Sequence, residues 1–167
     1  MSKLQGCQRW NESPIIPDEN GWYRVQLGCF GLNDSTGRFT HLVKKEVFDQ
    51  LQDRMSKQGG SIYGELRKPN MTASDRVSIN LDRIAFKLRD IEVVEEDMGG
   101  QPIQKVYGLI QSAGSFKAIL LNALTTSDNK LIFGYRAVSI PSFSLEDVES
   151  RRLVIEITDF VTFDLLP

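Results

Sequence analysis

The stretch Tyr63-Gly64-Glu65-Leu66-Arg67-Lys68-Pro69 has the look of an approach to an active site, and the residue before its proline is a lysine. A lysine serves as a general base only when burial or its neighbours lower its pKa. Lys68 follows Arg67 and precedes a proline, a context in which a lysine is more often exposed. The other candidates are sparse. His41 is the single histidine and reads as a residue at a helix start with polar partners. Glu95 and Glu96 sit beside a turn and read as a solvated pair. With one histidine and no Cys-x-x-Cys pair, no metal site is expected. "GCFG" and "SAGS" lack the spacing and the following lysine of a phosphate loop, so no cofactor is expected either.

Composition narrows the classes. A chain of 167 residues is the size of one domain and can bury a core without staples. Its net charge of -2 gives no basic excess, so nucleic acid is not an expected partner. Lys44-Lys45 and Arg151-Arg152 are isolated basic pairs on a solvated surface. No apolar run approaches the roughly 18 residues that a membrane span requires. Two cysteines, Cys7 and Cys29, and no recognisable signal peptide imply reduced thiols and no disulfide framework.

The elements that must position these residues follow from periodicity and turn chemistry. Residues 1–20 carry "ESPIIPDEN", whose prolines predict an extended arm. Pro14, Ile15, Ile16 and Pro17 are its candidate partner-binding residues. Residues 21–167 form one domain, with regular structure expected from Trp22. "WYRVQLGCF" suits a strand. Leu42, Val43, Val47, Leu51 and Met55 fall at helical spacings, with Thr40 as the cap and "QGG" as the stop. "SIYGEL" is a short strand and "NMTASDR" a loop. "IAFKLRDIEVVEED" and "IQKVYGLIQS" form a hairpin around "MGGQP". "GSFKAILLNALTTS" carries a helix and "KLIFGYRAVSIPSF" a strand bent at Pro141. "SLEDVESRRL" is a helical turn or loop, and "LVIEITDFVTFDLL" closes the chain as strand. The order predicts an α+β domain built on a mostly antiparallel sheet or barrel, flanked by two to three helices.

Several of these segments occur together in a telling order. "STGRF" precedes a helix that ends in glycines; "YGEL.KP", "RVSINLDRIAFKLRDIEV", "VYGLIQSAGSFKAILLNAL" and "IFGYRAVSI" follow. Across residues 22–145 this resembles the prohead maturation proteases of tailed bacteriophages, which share the fold of herpesvirus assemblin. The resemblance implies a serine endopeptidase whose general base is the histidine of a "GEL.HP" segment and whose nucleophile is the serine of "GvSsRg".

Both positions depart from that pattern. Lys68 stands where the histidine is expected. Phe133-Gly134-Tyr135-Arg136-Ala137 covers the serine segment, with Tyr135 at the serine position beside the retained Arg136. A serine hydroxyl is a weak nucleophile without a base in reach, and here serine and histidine are both missing. Lys68, Tyr135 and Arg136 are thus expected to mark a degenerate site. If activity persists, it would use a Ser-Lys pair of Lys68 with Ser139 or Ser142. Glu65, shared with the family segment, is expected to be structural, bonded to backbone or to Arg136. The reading expects an inactive structural protein that binds the phage capsid or other virion proteins at the capsid or neck. Oligomerisation would follow virion symmetry, and assembly would take place in the host cytoplasm. The alternatives are an active endopeptidase that processes capsid or scaffold proteins, and a soluble phage-encoded binding protein of the host cytoplasm.

Overall fold

The computed structural model describes residues 10–31, 39–98, 101–143 and 153–167; the side chains of residues 39–42, 98, 101, 141–143, 153 and 154 are outside that description. Eight strands and three α-helices are present among the described residues. The strands are β1 (Trp10–Glu12), β2 (Tyr23–Phe30), β3 (Phe39–Val43), β4 (Ile62–Glu65), β5 (Ile84–Met98), β6 (Gln101–Ser112), β7 (Lys130–Phe143) and β8 (Leu153–Leu165). The helices are α1 (Lys45–Lys57), α2 (Ala73–Val77) and α3 (Lys117–Thr125).

The strands form two four-stranded sheets, β1-β7-β8-β3 and β2-β6-β5-β4. Only β3 and β8 run parallel; the other pairs are antiparallel. A parallel bridge between Leu66 and Leu165, with Arg67 N–H donating to the Leu165 carbonyl, ties the end of β4 to the end of β8. The expected α+β fold on mostly antiparallel sheet is the observed one.

A single apolar core joins the two sheets. Phe160 is at its centre, packed on Phe30, Phe48, Phe163 and Tyr135 at ring separations of 5.3–6.2 Å. Aromatic rings at these spacings gain beyond their buried area. The amphipathic α1 buries Val47, Phe48, Leu51 and Met55, the helical spacing read from sequence. Gly64 makes room for another ring: a Cβ there would lie 2.1 Å from Phe86, its cross-strand partner.

Four local expectations need correction. Helix α1 starts at Lys45, not at Thr40, because residues 39–43 are drawn into parallel pairing with β8. His41 is therefore a strand residue opposite Ile155. Regular structure begins before Trp22: Trp10–Glu12 pairs with Ile132–Lys130. "NMTASDR" is not all loop, since a capping box between Thr72 and Asp75 nucleates α2. Cys29 is disulfide-bonded, against the expectation of reduced thiols; an even count of two never excluded one bridge. The "STGR" part of the "STGRF" segment and the "SLEDVESRR" segment lie outside the described residues.

Candidate functional site

Three segments converge at the end where β4 meets β8. Strand β4 delivers Glu65, and the chain leaving it delivers Arg67 and Lys68. Strand β7 delivers Gly134, Tyr135 and Arg136, and β8 delivers Asp164. Arg136 pairs with Thr162 in the β7–β8 ladder and Gly134 with Asp164, which sets the strands' side chains in reach of one another.

Arg136 is the hub. Its side chain is 3% exposed, Glu65's is 5% and Asp164's is 1%. Nη2 donates to Glu65 Oε2 at 2.6 Å and to Asp164 Oδ1 at 3.1 Å, and Nε lies 2.8 Å from Asp164 Oδ2. Nη1 donates to the carbonyls of Asp75 and Ser78 at 2.5 and 2.6 Å. Burial pulls the guanidinium's pKa down, but the carboxylates of Asp164 and Glu65 more than offset it, leaving the pKa above its ordinary value. Glu65 Oε2 also accepts from the Asn80 amide at 3.0 Å. The buried charges are paired, as burial requires, although Arg136 Nε meets Asp164 without hydrogen-bond geometry, and Glu65 is bonded to both backbone and Arg136.

Arg67 adds a second cation beside Asp164. Its Nε lies 3.3 Å from Asp164 Oδ2 and its Nη2 donates to the Tyr135 carbonyl at 2.9 Å. The guanidinium passes over Gly134 so closely that a Cβ on that residue would be 2.8 Å from both terminal nitrogens. The phenol ring of Tyr135 turns to the core, 5.3 Å from Phe30 and 6.2 Å from Phe160.

Lys68 and Ser139, the pair that a Ser-Lys mechanism would use, have different surroundings. Lys68 is 43% exposed and its ammonium bonds Asp75 Oδ2 at 3.2 Å. Ser139 lies on β7 in a groove of about 510 Å³, bordered by Phe30 and Leu27 of β2, by Ile132 and Tyr135 of β7, and by Arg67 and Arg76. Lys68 does not border that groove. Ser142 lies further along β7, opposite Val154, with its side chain outside the description. In the arm, Pro14, Ile16 and Pro17 are exposed, Ile16 at 87%. Ile15 is half-buried against the core, its amide bonded to the Leu124 carbonyl. Among the described residues no group of three or more His, Cys, Asp or Glu is placed to hold a metal ion.

Asp164 is the site residue that sequence reading missed. The available signal was one acid inside the apolar run "FVTFDLL", in a strand already assigned.

This two-sheet fold matches that of a phage assembly protease. The bacteriophage T4 capsid assembly protease matches with a TM-score of 0.51 over 94% of this chain and 91% of that one, at 14% identity. The likeness at that identity is one of fold. The Peptidase S80 family model matches residues 3–167, and the chain belongs to that family, the phage prohead proteases that its motifs resemble. No curated protein matches.

Proposed function

We propose that the chain is a catalytically inactive prohead-protease relative that serves as a structural binding component in phage capsid assembly, attached to the capsid or neck. The observation that carries this reading is the seat of Arg67 over Gly134. The segment expected to present a serine instead holds a glycine under a guanidinium and a tyrosine whose ring packs inward. The base position supports it too, since Lys68 is engaged with Asp75 at the surface. Family membership makes phage capsid proteins the natural partners, and the exposed Pro14, Ile16 and Pro17 of the arm are the residues we assign to docking. The domain division of arm 1–20 and body 21–167 belongs to the same proposal, with β1 anchoring the arm.

The rival is an endopeptidase using Lys68 and Ser139, and the one observation in its favour is that Ser139 borders the groove. Incubation of the purified chain with unprocessed capsid and scaffold proteins decides between them. The inactive reading expects no cleavage and no labelling by a serine-directed fluorophosphonate. Cleavage that disappears in Lys68→Ala and Ser139→Ala would establish the rival.

A further inference from the structure

The Glu65–Arg136–Asp164 cluster holds more than strands. Residues 67–82 leave the body and return to it at a closed base, where Leu66 N–H donates to the Arg83 carbonyl at 3.0 Å and Arg83 Nε donates to the Leu66 carbonyl at 3.0 Å. Compact loops with joined ends recur at functional positions. Between Lys68 and Arg83 no side chain is buried. Neither α2 nor the 3-10 turn at Leu81–Arg83 contributes to the core. Val77 and Leu81 are 60% and 69% exposed. The loop is therefore not held by apolar packing.

What holds it is polar and specific. Arg136 donates to the Asp75 and Ser78 carbonyls, and Glu65 accepts from the Asn80 amide. The bonds of Arg136 to Glu65 and Asp164 run between strands β4, β7 and β8 and use no loop residue, so these charges have partners that do not depend on the loop. The same loop supplies Met71 and Arg76 to the wall of the groove.

The geometry points to a lid: residues 68–80 cover the groove and release as one unit, with Arg136 and Glu65 as the latch. Elements that open locally are those with few buried apolar contacts and a limited set of bonds to the body, and loops that close over clefts gate access to them. The lid works the same way whether or not the groove carries out catalysis.

Native-state amide exchange on the full chain tests this, with the Asn80 amide as reporter of the latch and the Leu66 amide as reporter of the base. In the wild type the Asn80 amide is expected to exchange by a route insensitive to low urea, faster than the Leu66 and Ile110 amides. Thr72→Ala removes the cap of α2 without touching Arg136 or Glu65. If the lid is one unit, that change speeds Asn80 exchange by about fivefold to tenfold, the usual size of a lost helix cap, and leaves Leu66 and Ile110 unchanged. An Asn80 amide that ignores Thr72→Ala, or that exchanges only with global unfolding, would overturn the lid.

Discussion

Arg136 and Glu65 meet at 2.6 Å with both side chains almost inaccessible, which joins β7 to the end of β4 across the two sheets. Removing one member of such a pair leaves the other buried and unpaired. Arg136→Met is therefore expected to cost about 3–5 kcal/mol of stability, read from the shift in urea midpoint. A loss below about 1 kcal/mol, the range of surface pairs, would mean that the cluster is solvated.

Gly64 has a packing reason to be glycine. A Cβ there would meet the Phe86 ring at 2.1 Å, and Phe86 is fully buried. Gly64→Ala is expected to destabilise by about 1–3 kcal/mol, the range for overpacking a core. Gly64→Ala combined with Phe86→Leu should recover part of that loss in thermal melts.

Asp75 gives a pH signature. Bonds from the Thr72 amide and hydroxyl, followed by Lys68, hold its carboxyl below the ordinary value of 3.8. A depressed folded-state pKa adds stability that is fully present above the unfolded value. That stability is lost as pH falls through the lower folded value. NMR titration should place the Asp75 midpoint below 3.8. Thr72→Ala should raise it toward 3.8.

On the inactive reading Lys68→Ala should leave the fold intact and change no activity, because its partner among the described residues is Asp75 at the surface. Equal urea midpoints and equal inactivity toward capsid proteins are the expected results. Any activity in the parent that the substitution abolishes would restore Lys68 as a base.

Much of this was readable from residue order. The helical spacing of Leu51 and Met55, the antiparallel pairing of β5 with β6 and the glycines after α1 each act locally, so pattern alone places them. What failed was set by distant partners. Thr40 looked like a helix cap, yet β8 claims residues 39–43 through pairing more than 100 positions away. The pairing of Arg136 with Glu65 was within reach because the family segments bring both together. Asp164 was not, since nothing in "FVTFDLL" says which cation its strand will face. The relation of Arg67 to Gly134 depends on a side-chain path that no spacing rule encodes.

Quantitative mass spectrometry of purified mature particles from the source phage tests the central claim most directly, because it counts copies and reads termini together. A structural component without protease activity should appear as many intact copies per particle. A few self-clipped copies, or none beside fully processed capsid protein, would contradict it and return the chain to the proteases.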